Sequence, residues 1–100
     1  MRTVDDILNL LSAHKGNFQL IAGLIRHKTM RQGNLEGKPD AGIRCCPLNV
    51  LCGGKFYNGD LEEMRSELNM SRQDAVSFVE AADRYGSLQL RERILEVLGL

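Results

Sequence analysis

The 100-residue sequence predicts a mainly α fold, a small orthogonal bundle of four to five helices with a short two-stranded β-hairpin as its one candidate sheet. Three observations predict it. Apolar residues recur at helical spacing in four separate segments. Residues that favour helix N-termini, Thr3, Asp60 and Ser71, stand immediately before three of those segments, and Gly16, Asn69 and Gly86 close them. The composition, 43% apolar and 26% charged, is that of an ordinary globular domain, so one domain over residues 1–100 accommodates the chain. At this size folding removes only about 60 to 65% of the unfolded surface from water, which leaves a small core reserve that homodimerisation or a partner would enlarge.

The first helix is expected over residues 4 to 14. Thr3 and Asp6 have capping-box spacing, and Val4, Ile7, Leu8 and Leu11 form the buried stripe. His14 and Lys15 stand beside the last unpaired carbonyls, and Gly16 is a natural stop. Residues 18–28 fit two periods. Phe18, Leu20, Ala22 and Leu24 alternate as in a strand, whereas Leu20, Ile21, Leu24 and Ile25 make a helical stripe that Gly23 weakens. An echo between Ala22-Gly23-Leu24-Ile25-Arg26 and Ala41-Gly42-Ile43-Arg44 points to these two segments as paired short strands. Between them, Thr29 to Asp40 has no period and reads as the longest surface loop.

Cys46-Pro47 opens a short helix through Leu51 or Cys52, with proline at the first helical position and Gly53-Gly54 after it. Asn58-Gly59-Asp60 supplies a turn and an N-cap, and Leu61, Met64 and Leu68 line the next helix until about Asn69. Ser71 with Asp74 repeats the capping spacing, and Ala75, Phe78, Val79 and Ala82 form a core face up to Tyr85. The last helix, about Leu88 to Leu98, turns Leu90, Ile94, Val97 and Leu98 inward and leaves Arg91, Glu92, Arg93 and Glu96 to water.

Thirteen basic residues balance thirteen acidic ones, but unevenly: residues 1–50 hold seven basic against four acidic, residues 51–100 six against nine. Overall neutrality disfavours a dedicated nucleic-acid binder. The N-terminal MRTVDDILNL has no apolar signal core, and no apolar run approaches the roughly 20 residues that span a bilayer. Three cysteines, an odd number with two adjacent, suit a reducing compartment, and a cytoplasmic location without membrane contact is expected.

No residue pattern calls for a cofactor, a metal or catalysis. Cys45, Cys46 and Cys52 with His27 offer four zinc-type donors, yet adjacent cysteines do not converge easily on one tetrahedron, and small buried hydrophobes explain them better. Cys46 at a helix N-terminus would have a lowered pKa and could pair with His14 or His27, but no oxyanion-stabilising group accompanies it. Gly53-Gly54-Lys55 suggests a phosphate loop, except that Asn49 and Phe56 stand where glycine and a hydroxyl residue are required.

Two surfaces remain as binding candidates. Arg26, His27, Lys28 and Arg31, with Lys38 and Arg44, form a basic cluster suited to a negatively charged partner, and Phe56 and Tyr57 between glycine pairs are candidate interface anchors. Glu62, Glu63, Glu67, Asp74, Glu80 and Asp83 form an acidic counterpart suited to a basic groove.

Residues 61–79, LEEMRSELNMSRQDAVSFV, resemble the helix-turn-helix of DNA-binding repressors, with Arg65 where alanine is usual and Asn69 where glycine is usual. That resemblance implies DNA contacts from Ser71, Arg72 and Gln73, against which Asp74 and Glu80 would repel phosphates. The order Cys46-Pro47-Leu48, Leu68-Asn69-Met70-Ser71, Ala81-Ala82-Asp83 and the leucine-rich terminus resembles uncharacterised small proteins of bacteriophages and prophages. This second resemblance implies a mobile-element accessory protein that inhibits or redirects a host protein or complex, CRISPR defence complexes included, by occluding a surface. A protein partner is therefore the expected one, with nucleic acid as the alternative.

Overall fold

The computed structural model of the chain describes residues 1–28, 45–56 and 60–100. Among these, five helices and one antiparallel hairpin follow in the order α1 (Val4–Ser12), β1 (Phe18–Ile21), β2 (Leu24–His27), α2 (Pro47–Leu51), α3 (Leu61–Glu67), α4 (Arg72–Ala82) and α5 (Leu88–Leu98). The fold is mainly helical, and among the described residues no helix is long and apolar enough to cross a membrane.

A reciprocal capping box starts α1: Thr3 Oγ1 accepts the Asp6 N–H at 3.2 Å, and Asp6 Oδ2 accepts the Thr3 N–H at 2.8 Å. Such a cap contributes about 1 kcal/mol. Where the apolar spacing predicts helix through His14, α1 ends at Ser12, because His14 and Lys15 bond back only three residues, to the carbonyls of Leu11 and Ser12. Gly16 then donates to Leu98 O at 3.1 Å, tying this turn to the end of α5.

Residues 18–28 resolve as a hairpin with Phe18 opposite His27 and Ile21 opposite Leu24. Ala22 and Gly23 both take positive φ, 52° and 83°, the sign pattern of a type I′ turn whose twist matches that of the strands. Gly23 suits this positive φ, and a Cβ there would lie 2.6 Å from the exposed Arg84 side chain, which would have to move aside. The hairpin thus pairs within itself, and the echo segment Ala41–Arg44, like the loop Thr29 to Asp40, lies outside the described residues. Phe18 and Ile25 are fully buried and anchor the hairpin, while Leu20 and Ile21 remain exposed.

Cys46 occupies the N-cap of α2 with Pro47 after it, and Gly53 and Gly54 continue with left-handed backbone. Asn49, fully buried, grips Phe56 on both sides, donating to its carbonyl at 2.8 Å and accepting its N–H at 3.4 Å. Asp60 and Ser71 cap α3 and α4 through the N–H groups of Glu63 and Asp74, each at 3.1 Å. Helix α4 packs on α2, α3 and α5, and α5 closes the molecule against α1, where Arg93 pairs with Asp5. The core is one cluster that includes Ile7, Leu11, Phe18, Ile25, Leu48, Met64, Met70, Phe78, Ile94 and Leu98.

Two details of α4 depart from the periodic reading. The helix stops at Ala82 rather than Tyr85, because Asp83 leaves helical geometry (ψ −125°) to reach Arg26. Its buried face is Ala75, Phe78, Ala81 and Ala82, so Val79 is only half-buried. Arg91, placed on the water side of α5 by its spacing, is half-buried instead. It donates to the carbonyls of Ala81 (3.0 Å) and Asp83 at the end of α4 and to Gly23 O at 2.7 Å in the hairpin turn. A cation at those orphan carbonyls satisfies them and complements the negative end of the helix.

Candidate functional site

Helix α4 carries more apolar surface than its core contact uses. Val76, Val79, Glu80 and Asp83 recur at i, i+3, i+4 and i+7 on a stripe beside the buried one, and this stripe forms one wall of a cleft of about 300 Å³. Leu61 and Met64 of α3 face it, Cys46 closes one side and Arg26 of β2 another.

Charge lies among these apolar walls. The Arg26 side chain is only 9% exposed, donates to Ile25 O at 3.0 Å and places Nη2 3.0 Å from Asp83 Oδ1. Its contact with Asp83, itself 26% exposed, is an ion pair without hydrogen-bond alignment. Among the described residues Asp83 Oδ1 is therefore buried with no hydrogen-bond donor. Arg91, by holding the carbonyls of residues 81–83 and the hairpin turn together, keeps the partners of this pair in place. Glu80 lines the cleft from an exposed position.

All three cysteines are buried. Burial pushes the Cys46 thiol up, outweighing the hydrogen bond from the Asn49 N–H, which is the reverse of the lowering expected at a helix N-terminus. Burial also raises Cys52 to about 11. Among the described residues no three His, Cys, Asp or Glu side chains are placed to hold a metal ion.

The described members of the basic cluster read from the sequence differ in exposure. Arg26 is buried and ion-paired, which removes it from any exposed patch. His27 is half-buried with its ring edge-on to Phe18, centroids 5.2 Å apart, and burial followed by the His14 charge holds its pKa below the ordinary value. Lys28 is exposed, whereas Arg31, Lys38, Arg44 and Tyr57 lie outside the described residues. Phe56 is half-buried against the core, pinned by Asn49 and overlaid by Lys55, so it packs inward rather than standing out as an anchor.

Ser71, Arg72 and Gln73 occupy the start of α4, with Ser71 as the cap and the other two exposed. The turn before them is tightly specified. Asn69 takes φ 53°, Met70 is fully buried, and Met64, Leu68, Ala75 and Phe78 complete the packing between α3 and α4. The turn carbonyls are used internally: Arg2 donates to Leu68 O through its side chain and to Asn69 O through its backbone, and Arg65 donates to Met70 O. From Asp60 to Asp83 the chain carries seven carboxylates against two arginines, Arg65 and Arg72.

Val76 is the site residue that periodicity did not single out. Its only signal is an apolar position adjacent to a stripe already complete without it. Comparison of the chain with protein-family models, with curated proteins and with solved structures found no match.

Proposed function

We propose that this chain is a protein-binding module that acts by occupying a surface of its partner rather than by chemistry. The observation that carries this reading is the apolar cleft between α3 and α4, set in the most acidic stretch of the chain. An apolar wall with a charged rim is the usual anatomy of a contact in which a buried anchor provides affinity and the rim provides orientation. The raised thiols of Cys46 and Cys52 favour binding over nucleophilic chemistry. That the target is a host complex, defence complexes included, rests on the phage-protein resemblance. Gentle low-salt purification of the tagged chain from bacterial cells, with mass spectrometry and an ultraviolet absorbance ratio, tests the reading. A stoichiometric protein retained between about 0.05 M and about 0.2 M salt is expected, whereas nucleic acid lost over that range with no protein present would overturn it.

One observation favours a second reading, a helix-turn-helix DNA-binding regulator. Asn69 has the left-handed backbone of the glycine usual in such turns, Met70 is the buried turn hydrophobe and Ser71 caps the second helix. Against it stand Asp74 and Glu80 on the second helix, within a stretch, residues 60–83, that holds seven carboxylates against two arginines and would be repelled by a phosphate backbone. Anisotropy titration of a labelled duplex decides between them: binding that weakens steeply with salt and is lost on Arg72→Ala and Gln73→Ala would install the DNA reading.

A further inference from the structure

We infer that the α3–α4 cleft seats a basic, amphipathic peptide segment of a partner protein, one apolar anchor side chain entering the cleft and an adjacent lysine or arginine meeting Asp83 and Glu80. This inference rests on the protein-binding reading and names the chemistry of the partner.

The size sets the first limit. About 300 Å³ lies at the lower end of ligand pockets, which suits one or two side chains rather than a large cofactor. Leu61, Met64, Val76 and Val79 offer dispersion contact and no hydrogen bond, so the inserted group is aliphatic or aromatic. The charged lining sets the second limit. Arg26, Glu80 and Asp83 together carry one positive and two negative charges. Arg26 is committed to Asp83 and to Ile25 O, whereas the Asp83 side chain keeps 26% of its surface exposed, where a further donor can approach the carboxylate. A carboxylate accepts several donors, and a charged N–H arriving at its exposed side makes a charge-assisted bond. The same donor cannot be neutral by preference, because Glu80 at the rim leaves the cleft with an unbalanced negative charge. Outside it α3 exposes Glu62, Glu63 and Glu67, of which Glu62 is already paired with Arg65 and Glu67 with Lys55, so the selection of a basic segment lies with Glu80 and Asp83. An apolar anchor flanked by basic residues satisfies all of these features at once, in the manner of an amphipathic segment in a groove.

The test uses the full chain and three labelled synthetic peptides: one with leucines at i, i+3, i+4 and i+7 and lysines between them, a twin with glutamates for lysines, and a twin with serines for leucines. Anisotropy reads affinity, and amide chemical shifts read the place of binding. The leucine–lysine peptide is expected to bind and to shift Val76, Val79, Glu80 and Asp83, with both twins at least about tenfold weaker. Glu80→Lys, at an exposed position, should weaken it about fivefold and improve the glutamate twin. Val76→Ser should weaken it about tenfold with the fold intact by circular dichroism. Shifts confined to Glu62, Glu63 and Glu67 overturn the proposal, as does a dimer of the chain that already fills the cleft without peptide. If no peptide binds while a stoichiometric partner still co-purifies with Glu80→Lys and Val76→Ser, the cleft inference falls and the protein-binding reading stands. If neither peptide nor protein binds, both fall.

Discussion

Removing Asp83 and Arg26 together should destabilise the protein by clearly less than the sum of the two single removals. The Arg26 side chain is 9% exposed and sits among apolar walls, so Asp83→Ala leaves a buried charge without its ion-pair partner. Stranding one member of a buried pair costs about 3 to 5 kcal/mol. Asp83 is 26% exposed, so water enters the space it leaves, and the lower end, about 3 kcal/mol, applies. For a domain of this length that is a loss of roughly 12 to 24 °C in Tm. In Arg26→Met/Asp83→Ala the buried charge is gone and the methionine stem fills much of the arginine's apolar volume. The double variant should therefore recover at least about 1.5 kcal/mol relative to the sum of the single changes. Urea unfolding at neutral pH, with the m-value checked for constancy across all four proteins, measures the cycle. An Asp83→Ala protein within about 0.5 kcal/mol of the parent, or a double variant that merely adds the single losses, would refute the view that Arg26 is held by its charge partner.

The left-handed backbone at Asn69 (φ 53°) predicts that Asn69→Gly is neutral within about 0.5 kcal/mol, whereas Asn69→Ala costs about 1 kcal/mol; thermal unfolding of the two variants checks it. Burial and then the His14 charge hold His27 below its ordinary value of 6.5 when folded, so the unfolded chain takes up the proton first as pH falls. Stability should therefore be full above about pH 7.5, decline as pH drops through 6.5 and level off below the folded pKa. Urea midpoints from pH 8 to pH 5 should show a shallower decline in His27→Gln, and an unchanged profile in that variant would count against the assignment. Cys45, Cys46 and Cys52 are all buried and the last two have raised pKa values. A thiol reagent at about pH 8 should therefore label the native protein only as fast as it opens, and a rapidly labelled thiol would contradict this burial.

Much of the helical framework was legible because its signals are local. The caps at Thr3, Asp60 and Ser71 each satisfy an N–H three residues on, and α5 spans Leu88–Leu98 as its apolar spacing predicts. Residues 18–28 were undecided for a physical reason: their apolar positions satisfy a period of two and a helical one equally. What resolves them is the Ala22-Gly23 turn together with the burial of Phe18 and Ile25 by helices distant in the chain. The site was less legible. Lining it with Val76 looks in the sequence like surplus hydrophobicity, and only the placement of α3 and β2 against α4 makes a cleft of it.

The sequence by itself therefore determined the helical segments outside residues 18–28 and where most of them begin, because those properties depend on neighbours within about four positions. Only the tertiary structure decided the fate of the charges. Arg26 and Arg91, both expected at the surface, are drawn inward by acceptors on other elements, Asp83 for one and the carbonyls of residues 81–83 with Gly23 for the other. The free energy of a buried charge depends on the distance and alignment of its partner and on excluded water, quantities that arise when β2, α4 and α5 meet.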